Sequence, residues 1–540
     1  MTQADALVRL ASAATLFHTV DHVAYATVQV GDHRENYAVR SQSFRDWLVR
    51  MFYIESTKAP NAQALHNALA VLEAQARFDG DEHPVYVRVG EHGGGLFLDL
   101  GTSDWSAVAI EPFGWHVVSD PPVRFRRSRA MLSLPIPIHG GSLEQLRTFV
   151  NIQDEKDMCL LVAVIHAMLR PRGPYPVLVL QGEQGAAKST TARIAKALVD
   201  PSTAPLRSKP RDEYDLLIAA THGHVLAFDN LSELPPWLSD AFCRLATGAG
   251  ISKRQLYTDG EEFVLEAARP VILNGIEDLA VRDDLRDRAV VLSLLPIPDH
   301  TRRDEDAFWA AFKDARPALI GAFLDGVSTA MANLITVKLP APPRMADFAV
   351  WAVAGMPAFG VTPEQFLAVY GGNRRDAVSI TLDASAFAPT LFRFIESQPQ
   401  HWCGTASELL SHLNQLHAFG SEHRASGWPQ RAQALGNDLH RLAPALRLAG
   451  FHIEFQREPK TGRRLITVGK QAPQAVTPVT PVTLVTAEHG GDEGDDVPPQ
   501  FSVAAGPGLE DDVPSPIELD RFKAFETARS AEEETCSPPG

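Results

Sequence analysis

Val177-Leu-Val-Leu-Gln181 runs directly into Gly182-Glu183-Gln184-Gly185-Ala186-Ala187-Lys188-Ser189-Thr190, and a helical segment follows over Ala192–Leu198. The apolar run reads as a buried strand, and the glycine-rich stretch as a tight turn. In that order, strand, turn and helix N-terminus aim backbone N–H groups and the positive end of a helix dipole at one point. Phosphate groups bind at such a point. Lys188 would reach the β- and γ-phosphates of ATP, the Ser189 hydroxyl would complete a Mg²⁺ shell, and Gly182 to Thr190 would form the cradle. The spacing is GxxxxAKS, so Ala187 stands where such loops have their last glycine. Its methyl is accommodated if the local φ is negative, and on that condition the departure is modest.

Downstream, Val225-Leu-Ala-Phe228 leads into Asp229-Asn230. An acid at the tip of an apolar strand is what a Mg²⁺ water shell requires, so Asp229 is the second metal candidate beside Ser189. The next position, where a carboxylate would activate the attacking water, holds Asn230. An amide can orient water but cannot take its proton, and Glu233, one turn on, is the candidate substitute. A third strand, Pro270-Val-Ile-Leu273, ends at Asn274-Gly275, and the Asn274 amide can sense a γ-phosphate. Arg286 and Arg288, ahead of the strand 289–294, either reach a neighbouring subunit's ATP or form surface ion pairs with Asp284 or Asp287.

Hydrophobic residues make up 45% and charged residues 21% of the 540, with no run of about 18 apolar residues, so a cytoplasmic protein without a membrane segment is expected. Four scattered cysteines (159, 243, 403 and 536) have no metal-ligand spacing; three read as core residues and Cys536 as a tail thiol. The net charge of −16 sits mostly in residues 471–540, which hold 3 Lys/Arg against 14 Asp/Glu. That acidic, proline-rich tail reads as disordered, with a short helix for a protein partner around residues 517–528 as the lesser alternative.

Five regions follow: an N-terminal α/β domain (1–150), the ATPase core (151–299), a helical lid (300–387), a C-terminal domain (388–470) and the tail (471–540). In the first, 123–129 reads as a strand whose arginines lie toward DNA or on a solvated face, with DNA preferred. The turn at His92-Gly-Gly-Gly95 lacks a nucleophile motif and reads as a plain glycine turn. In the C-terminal domain, three helices lead to strands 451–455 and 464–468 joined by a basic turn, the pattern of a winged helix. Residues 401–470 carry 9 Lys/Arg against 5 Asp/Glu. Arg431, Arg441, Lys460, Arg463 and Arg464 are its DNA candidates, although such domains also bind proteins.

Gly182–Thr190, Phe228-Asp229-Asn230, Gly248–Tyr257, Pro270–Gly275 and Arg286–Arg288 stand in an order that resembles superfamily 3 helicases of the AAA+ class. The likeness is greatest to the primase-helicase ATPases of phages, plasmids and integrated elements. It implies a P-loop AAA+-like α/β core and a homo-oligomer, with a hexamer expected. It also implies that Lys253 and Arg254 lie in a pore hairpin on single-stranded DNA, with Tyr257 stacking on a base, and that Arg344 is a lid residue near the γ-phosphate. The function implied is an ATP-dependent DNA translocase or helicase in replication of a mobile element. Asn230 and Ala187 keep open an ATP-gated DNA-binding switch with little turnover.

Overall fold

Period-two alternation and two capped amphipathic helices build the first layer: α1 (Gln3–Leu10), β1 (Thr15–His18), β2 (Ala24–Val30), β3 (His33–Ala38), α2 (Gln42–Ser56), α3 (Ala62–Phe78) and β4 (Asp81–Glu82). Ser41 and Asn61 cap α2 and α3 by accepting the amides of Phe44 and Ala64. The strands run in the order β3-β2-β1-β4, and Leu7, Phe44, Leu48, Leu69 and Leu72 fill the core against the helices. The computed structural model describes residues 2–470 except 233, 255–261, 266–267, 276–281, 384, 419–427 and 459–461. The acidic segment 471–540 therefore lies outside the described residues.

A second, antiparallel sheet follows in the order β5 (Val89–His92), β6 (Gly95–Asp99), β7 (Ala107–Glu111) and β8 (Gly114–Val118). Its turn at Gly93-Gly94 has positive φ at both residues, as a tight hairpin needs. The inner face of this sheet belongs to the central core: Leu98, Val108 and Ile110 pack with Leu161 and Leu180. Residues 1–150 thus feed three separate cores, the third a small one of Phe97, Ala107, Ala109, Val123 and Phe125 on the other face of this sheet.

The stretch 123–129 is not a strand beyond a single bridge between Tyr86 and Phe125. Arg124 lies over the Phe17 ring at 4.6 Å, Arg126 donates to the Thr221 carbonyl, and Arg127 grips Asp99 (2.9 Å) and stacks on Trp105. These three arginines hold the fold together, which corrects the DNA-facing expectation. Arg129 alone of the four is exposed.

The central layer contains α4 (Glu155–Met168), β9 (Val177–Gln181), α5 (Lys188–Val199), α6 (Glu213–His222), β10 (Leu226–Leu231), α7 (Pro236–Thr247), β11 (Ile251–Arg254), β12 (Glu262–Leu265), β13 (Val271–Gly275), α8 (Asp283–Arg286) and β14 (Ala289–Ser293). β10-β13-β9-β14 form one parallel sheet with apolar cores on both faces, which explains the continuous apolar runs. β11 and β12 form a separate two-stranded hairpin.

The helices α9 (Glu305–Asn333), α10 (Ala346–Gly355) and α11 (Pro363–Asp383) follow. Pro317 lies inside α9 without ending it. The helix is held there from outside: the Pro317 carbonyl accepts the Ile138 amide (3.1 Å), and Trp115 Nε1 donates to Asp325 (2.8 Å).

The C-terminal part holds α12 (Ala388–Ser397), β15 (Trp402–Gly404), α13 (Ala406–Ala418), α14 (Ala432–Leu448), β16 (Phe451–Arg457) and β17 (Arg464–Lys470). It has its own core, including Leu391, Leu409, Leu435 and Ile453. Its sheet has the order β15-β17-β16, so a short third strand joins the expected hairpin. Cys403 on this edge strand is exposed and Cys159 only half-buried, leaving Cys243 as the one buried cysteine among the described residues. No helix among them is long and apolar enough to cross a membrane.

One buried ionic group ties these parts together. Asp200, at the C-terminal cap of α5, accepts from Lys196 (3.1 Å), from Arg88 (3.2 Å), and from the amides of His224 (2.9 Å) and Val225 (3.0 Å). Arg88 is fully buried and also donates to the carbonyls of Asp99 (2.9 Å) and Leu132 (2.8 Å). Burial pushes the Asp200 carboxyl up, but Lys196, Arg88 and the amides outweigh it and hold it well below the usual carboxylate range. Its stabilisation is therefore complete above the unfolded carboxylate pKa of about 3.9, and is lost as pH falls through the lower folded value. Asp200→Asn should cost about 3–5 kcal/mol at neutral pH, because two cations stay buried without their counter-ion. The urea midpoint measures this, and a shift under about 1 kcal/mol would show that the network does not carry the fold.

Candidate functional site

The residues that the sequence marks converge at the carboxyl ends of β9, β10 and β13, the edge of a parallel sheet where loops and helix N-termini face outward. Gly182 has a φ of +144°, and a β-carbon there would lie 2.2 Å from the Leu294 carbonyl oxygen, so no other residue fits. The turn ends at Ala187, which caps α5 with a φ of +61°. The condition of a negative φ is not met: the chain turns left-handed to enter α5, and the methyl sits where only glycine is free of strain. Ala187 offers no side-chain cap, so no capping side chain covers the leading amides of α5.

Lys188 is buried, and its ammonium donates to the carbonyls of Gly182 and Glu183 (2.7 Å each), which holds it inside the turn. Burial lowers its pKa, and the charge of Asp229 partly opposes that. Beside it the Ser189 hydroxyl donates to Asp229 Oδ1 (3.0 Å), and the Asn274 amide donates to Ser189 Oγ (2.9 Å) and to Asp229 Oδ1. Three residues up to 85 positions apart thus meet on one hydroxyl and one carboxylate. Asn230 follows Asp229 in a bulge of β10, with a φ of +54°, a conformation that asparagine tolerates better than most residues. It is exposed, and its backbone amide donates to Asp229 Oδ1 (2.9 Å). Glu233 lies outside the described residues.

A cavity of about 710 Å³ opens beside the loop, lined by Gly185, Ala187 and Thr190 on one side and by Phe149, Ile297 and Trp309 among others on the far side. Sequence reading missed this wall. It comes from the segments before α4 and after β14, which carry no motif; the Phe308-Trp309 pair is the one signal there. The Asn151 amide latches the wall by donating to the carbonyls of Ala186 (3.2 Å) and Leu295 (2.6 Å).

The remaining arginine candidates lie at α8 and ahead of α10. Arg286 is buried at the end of α8, so it does not project from the protomer. Arg288 pairs with Asp284, and Arg344 lies 3.7 Å from the same carboxylate. Arg288 thus makes the Asp284 ion pair that is one of its two sequence readings.

Among the DNA candidates, Lys253 and Arg254 are opposite Phe263 and Glu262 in the β11–β12 register; Tyr257 and Lys460 lie outside the described residues. Arg431 precedes α14, Arg441 lies on it 3.2 Å from Asp438, Arg463 lies 3.9 Å from Glu408, and Arg464 opens β17. A cavity of about 460 Å³ between α14 and the β16–β17 hairpin has Arg457, Arg464, Gln433 and Asn437 in its lining.

Residues 143–369 match the family model of the actinomycete integrative conjugative element replication protein, and residues 387–481 match the model of that protein's C-terminal domain. The chain is a replication protein of an integrative conjugative element family. The first match spans the loop, Asp229, Asn274 and the cavity wall; the second spans α12 to β17. Comparison with curated proteins gives no match. Among solved structures, two apo forms of the NrS-1 C-terminal region align at 10% and 9% identity, each over 86% of this chain and 97% of that one. Their TM-scores of 0.38 and 0.37 are too low to carry any inference.

The strain at Ala187 is directly testable. Ala187→Gly should stabilise the protein by roughly 1 kcal/mol, the left-handed penalty of alanine less the added freedom of the unfolded chain. Chemical denaturation reads this, and a destabilised variant would show that Ala187 does not adopt that conformation.

Proposed function

We propose that this replication protein is a P-loop ATPase of AAA+ type that works on DNA through its C-terminal domain. The observation that carries this reading is the meeting of Ser189, Asp229 and Asn274 at the N-terminus of α5, beside a buried Lys188. The donor set suits Mg²⁺, which keeps several waters and takes one or two protein oxygens together with phosphates. Ser189 and Asp229 would hold it, and no cluster of three or more His, Cys, Asp or Glu that would suit a different metal occurs among the described residues. The metal would supply charge neutralisation at the β- and γ-phosphates.

The chain's own groups do the rest. Lys188 and the leading amides of α5 bind the phosphates, Asp229 fixes the Ser189 hydroxyl, and Asn274 orients both and faces the terminal phosphate. Asn230 places a water without accepting its proton, so the proton must pass to another group such as Glu233. In the first reading, an oligomer, hexameric by the resemblance, couples hydrolysis to movement of the β11–β12 hairpin on single-stranded DNA. The three-helix, three-strand C-terminal domain acts as a winged helix on duplex DNA, its arginines on phosphates. The amide at Asn230 and the strained turn at Ala187 favour a second reading, in which ATP occupancy gates assembly on DNA with slow turnover.

Steady-state ATP hydrolysis with and without single-stranded DNA, with Lys188→Ala as blank, separates the two. Turnover raised severalfold by DNA supports the motor, whereas tight ATP binding with turnover at the blank level supports the switch. ATP binding undiminished in Lys188→Ala would remove the loop from either reading. In the motor reading, Lys253→Ala with Arg254→Ala should abolish unwinding of forked DNA and leave ATP affinity intact; normal unwinding would exclude the hairpin.

A further inference from the structure

After β14 the chain does not leave the nucleotide site. Leu294 donates its amide to the Gln181 carbonyl (2.8 Å), Ile297 donates to the Gly185 carbonyl (3.2 Å), and a short turn at Asp299–Thr301 brings Arg302 back over the loop. There the Arg302 guanidinium comes within 3.4 Å of the point where a side chain at Gly185 would begin.

Three arginines line the cavity: Arg147, Arg302 and Arg303. Arg147 is engaged by Glu155 (2.5 Å) and Glu144 (3.2 Å), and Arg303 donates to the Thr148 carbonyl (2.9 Å). Arg302 pairs with Asp299 (3.0 Å), and both side chains are mostly exposed, at 62% and 92%. A solvated pair of that kind is weak and exchanges readily for a stronger anion. A triphosphate seated on residues 182–190 is a multiply charged anion beside which a guanidinium forms paired, charge-assisted hydrogen bonds.

We propose that Arg302 is a phosphate-binding residue that the protomer supplies to its own nucleotide, leaving Asp299 to close over the polyphosphate at Gly185. This rests on the reading of the loop as an ATP site. Arg302 acts within one chain, so affinity for the polyphosphate does not depend on a neighbouring subunit. The far wall of the cavity then contributes a cation of its own to the loop.

Calorimetric titration of the full chain with ATP, ADP and AMP tests this, using Arg302→Ala, Arg302→Lys and Lys188→Ala. Arg302→Ala should bind ATP and ADP about tenfold more weakly with AMP unchanged, and Arg302→Lys should recover part of the loss. Unchanged ATP affinity in Arg302→Ala, with a loss in Lys188→Ala, would overturn this role and leave the loop as the ATP site. Equal weakening of all three nucleotides would also overturn it, since Arg302 would then shape the cavity and not contact phosphate. If Lys188→Ala binds ATP like the parent, the ATP reading of the loop fails first.

Discussion

A single buried carboxylate sets the geometry on which the site depends. Asp200 closes the far end of α5 while binding two amides just ahead of β10, so the helix that begins at Lys188 and the strand that carries Asp229 are clamped at the end away from the site. Arg88 brings the antiparallel β5–β8 sheet and the segment at Leu132 to the same carboxylate. Such a network is costly to assemble, because two cations and an anion leave water. Once formed it tolerates little displacement, since moving any one partner leaves the others buried and incompletely paired. The registration of Ser189 against Asp229 at the open end follows from this closed end.

The open end departs from an ideal phosphate loop at two neighbouring places, Ala187 and Asn230, and both are left-handed. In each the side chain is small or amide-bearing, and in each the backbone turn serves the site: one starts α5 and the other bends β10 so that Asp229 faces Ser189. Strain of this kind persists where surrounding packing over-determines the conformation. It is also where a nucleotide-dependent change would cost least, because the bound state can repay the strain. The proposed division between motor and switch turns on this part of the molecule.

Arginine shows how far a one-dimensional reading reaches. Arg124, Arg126 and Arg127 read as a basic strand toward DNA, yet they meet Phe17, the Thr221 carbonyl, and Asp99 with Trp105. Arg288 and Arg344 share Asp284. Arg302 carries no motif and stands at the loop. A guanidinium is long, planar and rich in donors, so its role is set by which carbonyl, carboxylate or ring the fold brings near. Spacing along the chain holds none of that information.

The apolar run at 177–181, the glycine turn and the acid after 225–228 determined by themselves that a parallel strand, a phosphate-type turn and an acidic strand tip exist. Those features are local, with a period, a turn residue or a cap within a few positions. The helices of the C-terminal domain and the strands β16 and β17 were legible for the same reason. Tertiary structure alone decided the rest: the strand order β10-β13-β9-β14, the left-handed turn at Ala187, the survival of α9 through Pro317, the third strand β15, and the packing of one face of the β5–β8 sheet into the central core. Each depends on pairings across tens to hundreds of residues, where packing energy overrides local preference. The cavity wall from 147–153 and 297–309 belongs with them. Its two segments mean nothing until β14 lies beside β9 and carries them to the same loop.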